Sequence, residues 1–286
     1  MASLRDIKRR IKSVKNTQQI TKAMKMVSAA KLRRAQEDIQ AARPYADKMS
    51  DVIASLAGKV PPESHPLFSS VPTGKTELIV VTSDRGLCGS FNGALLRAAD
   101  RFIAQNKDKK ITMTLVGRRG MDYFKRRGAT ASSQSVLGNK RPTYNFAVKL
   151  AQGIIQAYRA ENGVEDVYLV YSEFKSALVQ SPVVKKILPM TPPEASGRED
   201  QKELLFEPSP EGVLDSLFPR YVEVQLFRAL LESSASEHGA RMTAMDSASS
   251  NAASMIESLT LKYNRARQAA ITKELMEIIG GAEALK

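Results

Sequence analysis

The chain has 286 residues, with 43 Lys+Arg against 30 Asp+Glu (formal net charge +13) and 43% hydrophobic residues, enough for one or two domains with a real core. A single cysteine, Cys88, excludes an internal disulfide framework or a multi-Cys zinc site, and two histidines, His65 and His238, argue against a His-based metal centre. Aromatics are only 6% with no Trp, low for a compact enzyme or a base-stacking protein, and no run of about 20 apolar residues exists to span a membrane.

Residues 1–57 contain no Gly and one Pro, Pro44. Gly costs about 1 kcal/mol and Pro about 3 kcal/mol inside a helix, so this stretch reads as one very long helix. Ser3 is its expected N-cap, with Asp6 as a capping-box partner, and Pro44 its expected kink. Leu4, Ile7, Ile11 and Val14 form an apolar stripe, which then slips and resumes at Ile20, Met24 and Val27. At 1.5 Å per residue the rod is about 80 Å long. Residues 1–34 hold eleven Lys/Arg against one acid, Asp6, so ten of the thirteen surplus charges lie here. Such polarisation suits an acidic protein surface, nucleic acid or anionic lipid, or simply a solvated helix face. The Arg/Lys-rich opening imitates a transit peptide, but it runs unbroken into the helix.

Between about 75 and 200 the pattern alternates in the βαβ manner. Glu77–Ser83 reads as a buried strand, and the turn at Gly86, Cys88 and Gly89 leads into a helix at about 90–105. Ile111–Val116 is a second strand, Met121–Arg127 a short helix, Tyr144–Glu161 a longer one and Val167–Tyr171 a third strand, with a further strand expected at Val183–Leu188. These elements predict a small doubly wound, Rossmann-like sheet. The Pro-, Glu- and Ser-rich stretch 189–212 reads as a returning loop.

Residues 213–279 contain one Gly and one Pro, Gly239 and Pro219. Met242, Met245, Ser249, Ala252, Ile256, Leu259, Tyr263, Ala266 and Ala270 alternate steps of three and four, a coiled-coil seam predicting a left-handed supercoil. Its Ala and Ser content calls for close approach of the partner helix. Some 70 residues make a rod of roughly 105 Å, wider than a globular domain of this mass. Two terminal helices flanking one domain pair antiparallel. The expected fold is therefore α/β: a long antiparallel coiled coil of N- and C-terminal helices (1–58 and 210–286) plus a small Rossmann-like α/β domain (75–200).

The usual signatures of chemistry fail. Gly86–Gly93 has G-x-x-G-x-x-x-G spacing, not the dinucleotide fingerprint, and the P-loop ending suggested by Gly74-Lys75-Thr76 has Ser69 where a Gly is required. The glycines instead permit a tight strand-to-helix turn. Cys88 lies near a helix N-terminus but has no base partner at helical spacing, and it reads as a small, partly buried residue. His238 reads as structural, and Glu161, Glu165 and Asp166 as a solvated turn. No catalytic residue, cofactor site or metal site is expected.

Three segments resemble one family. Ile20-Thr21-Lys22-Ala23-Met24-Lys25-Met26-Val27, Ser83-Asp84-Arg85-Gly86-Leu87-Cys88-Gly89-Ser90-Phe91-Asn92 and the run from Tyr263 through Arg267, Gln268 and Thr272 to Leu275 are similar to motifs of the gamma subunit of F-type ATP synthases, in the right order along the whole chain. The resemblance implies a non-catalytic rotor shaft, one copy per complex, standing inside the ring of alpha and beta subunits. Its globular foot would sit on the c-ring with the epsilon subunit. Proton-driven rotation would be coupled to ATP synthesis or hydrolysis at the beta sites, with ATPase activity and proton flow regulated through the shaft. Nucleic acid and a small-molecule substrate of its own are not implied.

By the same resemblance Arg267, Gln268 and Thr272 match positions of polar coupling to the beta subunits, and Met24 a position facing their lever region. Lys25 stands where relatives often have Glu. Leu275, Ile278 and Ile279 match the apolar bearing tip, and Phe206 and Glu207 the foot segment near the c-ring. The dithiol switch of chloroplast-type members is not expected with Cys88 alone. Met1 immediately before the helix suggests a bacterial protein, peripheral on the cytoplasmic face of the inner membrane. The alternative from another class is a basic coiled-coil nucleic-acid-binding protein using residues 5–34; against it stand the lack of a binding motif and the unexplained C-terminal rod. A free Rossmann enzyme fails on the fingerprint.

Overall fold

The computed structural model describes residues 3–57, 60–61, 65–129, 131–138, 140–190, 207 and 209–283. The chain divides into two compact units, one spanning Ala29–Arg241 and the other made of Met1–Ser28 with Met242–Lys286. Two long helices, α1 (Leu4–Ala57) and α5 (Pro210–Glu283), contribute residues to both.

In the larger unit β1 (Lys75–Val81), β2 (Lys110–Val116), β3 (Ala131–Ser135), β4 (Asp166–Phe174) and β5 (Gln180–Leu188) form one sheet in the order β3-β2-β1-β4-β5. The first four are mutually parallel and β5 is antiparallel to β4. The helices between them are α2 (Phe91–Gln105), α3 (Arg118–Lys125) and α4 (Tyr144–Arg159). β1 is buried along nearly its whole length, as a central parallel strand must be. Its pleat separates two cores. Ile79 and Val81 join Ile53, Leu56, Ile154 and Phe218 from α1, α4 and α5, while Leu78 and Val80 join Leu95, Leu96 and Phe124 from α2 and α3.

The predicted doubly wound sheet is present, with differences in detail. β3 (ASSQS) was not expected, since it has no hydrophobic run. It is held by polar contacts: the Ser132 hydroxyl lies 2.9 Å from Glu77 Oε1 and 2.9 Å from the Met113 carbonyl. Glu77 also accepts from the Thr112 and Thr114 hydroxyls, so a 4% exposed carboxylate is satisfied by three hydroxyl groups. The short helix begins at Arg118 rather than Met121. Its first amides are met by groups distant in sequence: Arg118 N donates to Asp84 Oδ1, Arg119 N to the Ser83 carbonyl and Gly120 N to Thr82 Oγ1. β5 begins at Gln180, three residues before the expected strand, because Ser172–Phe174 continue to pair with Gln180–Pro182. The helix α1 is continuous through Pro44.

In the other unit Ser3 caps α1 as expected, its hydroxyl accepting from Asp6 N at 3.2 Å and donating to Asp6 Oδ2 at 2.8 Å. The C-terminal seam matches the heptad reading. Met245 and Ala252 are buried, Ile256, Leu259, Tyr263, Ala266 and Ala270 are half-buried, and the residues between them from 253 to 269 are exposed. The N-terminal stripe differs from expectation after Val14. It does not slip to Ile20 and Val27, which are exposed; it continues in three-four steps through Gln18, Thr21, Lys25 and Ser28, with Thr21 and Ser28 buried. Small polar side chains thus occupy seam positions where the hydrophobic criterion looks only for apolar ones. Lys25 pairs with Asp246 at 2.6 Å, joining the end of one segment to the start of the other, as antiparallel helices require.

Candidate functional site

The loop after β1 carries the glycine turn. Leu87 (φ 64°) and Gly89 (φ 55°) both adopt left-handed backbone. Asn92, in the first turn of α2, ties the loop back: Ser83 N donates to its Oδ1 at 3.0 Å, and its Nδ2 donates to Ser83 Oγ at 2.7 Å and to Cys88 Sγ at 3.2 Å. Cys88 is buried, and burial pushes its thiol above the usual range, so a small structural residue is what the site holds.

In a sheet of this order the strand sequence reverses between β1 and β4, and the crevice beyond their carboxyl ends is where doubly wound folds bind ligands. Here α5 fills it. Ser172 N of β4 donates to Ser233 Oγ at 3.1 Å, and Ser236 Oγ donates to the Ser172 carbonyl at 3.2 Å. One turn on, Arg241 Nη2 reaches the Gly86 carbonyl at 3.3 Å and Glu237 Oε1 at 2.7 Å. A polar cavity of about 40 Å³, lined by Thr82, Asp84, Lys140, Glu237 and His238 among others, is what remains. Burial raises the Glu237 carboxyl above its ordinary value, an effect Arg241 opposes. Burial, then Arg241 and Lys31, lowers His238 to about 4, keeping it neutral. The Gly86 carbonyl therefore belongs to a clamp on α5, while Cys88 and Gly89 shape the turn that presents it. Arg241, Ser233 and Ser236 were not singled out from the sequence; the signal was a run of small polar residues inside an otherwise apolar stretch of helix.

The residues expected to meet other subunits lie on α1 and α5. Arg267 and Gln268 are exposed on consecutive positions of α5, and the Thr272 hydroxyl donates to the Gln268 carbonyl at 3.0 Å. Met24 is half-buried beside Lys25, whose charge is met by Asp246, a partner the sequence reading did not identify. Leu275, Ile278 and Ile279 are all exposed, Ile278 at 72%, in company with Ile271 and Met276. This is an apolar surface near the end of a helix with nothing from the described residues covering it. Glu207 is exposed, and Phe206 lies outside the described residues. Among the described residues no group of His, Cys, Asp and Glu is placed to hold a metal ion, and no helix is long and apolar enough to cross a membrane.

The family model described as ATP synthase matches residues 3–285. The chain is 53% identical to the ATP synthase gamma chain of Geobacter metallireducens and 49% identical to that of Pelotomaculum thermopropionicum, each alignment covering 100% of both chains. Among solved structures it is similar to a chain of the central stalk and c-ring of Tetrahymena thermophila mitochondrial ATP synthase. That match has 27% identity and a TM-score of 0.61 over 80% of this chain and 99% of that one. A chain of the Euglena gracilis OSCP/F1/c-ring assembly shares the fold, with a TM-score of 0.69 over 99% of this chain and 94% of that one at 18% identity. The nucleic-acid alternative raised by the basic segment finds no support in these matches. Matched over nearly its whole length by the family model and over all of it by relatives about half identical to it, the chain belongs to the family of ATP synthase gamma chains.

Proposed function

We propose that this chain is the central rotor shaft of an F-type ATP synthase, coupling proton-driven c-ring rotation to ATP synthesis or hydrolysis at the beta subunits. The observation that carries the reading is the alignment with gamma chains along the whole length. Supporting it are two long helices of 54 and 74 residues, the first with no Gly and a single Pro. In this reading the chain has no chemistry of its own and acts as one copy per complex. Residues 1–58 and 210–286 serve as the shaft within the alpha–beta hexamer, and residues 75–200 as the foot that meets epsilon and the c-ring. The complex would hold the chain peripherally at the cytoplasmic face of a bacterial inner membrane.

Within the shaft, Arg267, Gln268 and Thr272 are the polar contacts to the beta subunits, with Met24 and Lys25 facing the levers. Leu275, Ile278 and Ile279 form the bearing tip, and Phe206 and Glu207 approach the c-ring. The exposure of Arg267 and Gln268 suits this role, because a coupling residue must be free to touch a partner. Changing Arg267→Glu together with Gln268→Leu should lower coupled ATP synthesis in inverted membrane vesicles severalfold, with assembly of the complex and helix content unchanged. Unimpaired synthesis in such vesicles would remove these residues from the coupling path. Failure of the chain to co-purify with alpha and beta subunits would defeat the rotor reading itself.

A further inference from the structure

Between α2 and the edge strand β5 lies an open groove of about 390 Å³. Its floor is apolar: Ala98 and Phe102 from α2, Pro182 and Val184 from β5, with Phe102 held against Tyr168 at a centroid distance of 4.6 Å. Its helical wall carries Arg97 and Arg101, one turn apart and both exposed. Neighbouring cations are matched: Arg127 pairs with Asp100 at 2.8 Å and Lys186 with Asp166 at 2.7 Å. Among the described residues neither Arg97 nor Arg101 has a carboxylate within ion-pair distance. The other wall, β5, pairs with β4 alone and ends the sheet.

We infer that this groove is a docking site for an extended, acidic protein segment of another subunit of the complex. The inference rests on the rotor reading for the identity of the complex and on the groove for everything else. Arg97 and Arg101 are four residues apart on a helix, a rise of about 6 Å. Side chains on one face of an extended strand are about 6.8 Å apart at positions i and i+2. A segment with two carboxylates at that spacing meets both guanidiniums, each able to bind a carboxylate bidentately. Apolar side chains beside the carboxylates would cover Phe102 and Val184, which a phosphate backbone would leave wet.

The strand edge adds main-chain partners for an extended chain, the arrangement used in β-strand addition. Pro182 on β5 lacks an N–H, which deters full-length pairing with a second copy of this strand and leaves the main-chain groups beyond it for a shorter segment. The positive charge of Arg97 and Arg101 on the facing wall favours an acidic partner. The groove thus discriminates by sign as well as by shape.

The test places the photoreactive residue p-benzoylphenylalanine at Val184, which is 37% exposed, in the assembled, membrane-extracted ATP synthase. Illumination should attach Val184 to one other subunit, at a segment with two acidic residues spaced i, i+2. The yield should fall about tenfold in Arg97→Glu/Arg101→Glu, the loss expected for reversing two interfacial ion pairs. A smaller fall is expected in Arg97→Gln/Arg101→Gln and when salt is raised from 50 to 500 mM in the unaltered complex. An adduct to lipid, an adduct to a segment lacking acids, a yield indifferent to charge and salt, or no adduct in an intact complex would each overturn the inference. Because co-purification of alpha and beta subunits is read in the same preparation, loss of the groove's partner is distinguishable from loss of the rotor assignment.

Discussion

Replacing Arg241 by Met removes a guanidinium that holds Glu237 and the Gly86 carbonyl at once, while keeping the length of the side chain. The two side chains are 11% and 20% exposed, so the ion pair is largely buried with some access to water. Breaking a fully buried pair by deleting one partner costs about 3–5 kcal/mol, and each lost hydrogen bond to a carbonyl about 0.5–1.5 kcal/mol. Partial exposure discounts the first figure, and a net loss of about 3 kcal/mol is expected. For a unit of this size that corresponds to a fall in Tm of about 6–12 °C. Thermal unfolding followed by circular dichroism measures it, and amide exchange at residues 85–92 shows whether the glycine turn loosens with the helix.

The pH dependence is a sharper test of the same contact. Burial already lifts the Glu237 carboxyl above its ordinary value, and losing Arg241 lifts it further. A carboxyl that binds its proton more tightly in the folded chain than in the unfolded one favours folding as pH falls. The deficit of Arg241→Met should therefore shrink between pH 7 and pH 5, and adding Glu237→Gln should restore much of it at pH 7. A Tm within about 1 °C of the parent at pH 7, or a deficit that does not change with pH, would refute a buried clamp worth several kcal/mol.

Gly117 has φ 95°, and a Cβ there would sit 2.2 Å from the Thr82 carbonyl oxygen; Gly117→Ala should cost more than about 3 kcal/mol, read as a lowered denaturation midpoint against a Gly153→Ala control with open space around it. His238 titrates at about 4 in the fold against about 6.5 unfolded, so the unfolded chain gains a proton first and stability falls from pH 6.5 to 4 by at most about 1.4 kcal/mol per pH unit. His238→Gln should flatten that decline, and a Tm-against-pH curve parallel to the parent would argue otherwise. Ala252 is buried in the seam and Met255 is exposed; Ala252→Glu should cost about 2–4 kcal/mol and reduce helicity at 222 nm, whereas Met255→Glu should do neither. Equal effects from the two would mean the seam lies elsewhere.

Helices and buried strands were legible because their signals are local. A Gly- and Pro-free stretch, a three-four alternation through Tyr263 and Ala266, and the run Leu78–Val81 each announce themselves within a few residues. β3 was not legible, since its stability comes from Glu77, Thr112 and Thr114, more than 15 residues away in sequence. The start of α3 was missed for the same reason: Thr82, Ser83 and Asp84 supply its cap from over thirty residues upstream. In α1 the error was one of chemistry. Thr21 and Ser28 occupy the seam because small residues let helices approach, so a search for apolar side chains moved the stripe onto exposed Ile20 and Val27. The clamp formed by Ser233, Ser236 and Arg241 needed the fold before any of its members looked special.

Filling the crevice beyond β1 and β4 with its own helix has a consequence for the company this protein keeps. An ATP synthase works among nucleotides at high concentration, and sheets of this strand order elsewhere accept nucleotides at that spot. A ligand entering there would have to displace Ser233, Ser236 and Arg241, whose bonds to Ser172 and Gly86 are made within the chain and so compete at an advantage over a diffusing solute. The place where such sheets usually take a ligand serves here as an anchorage for the chain's own helix.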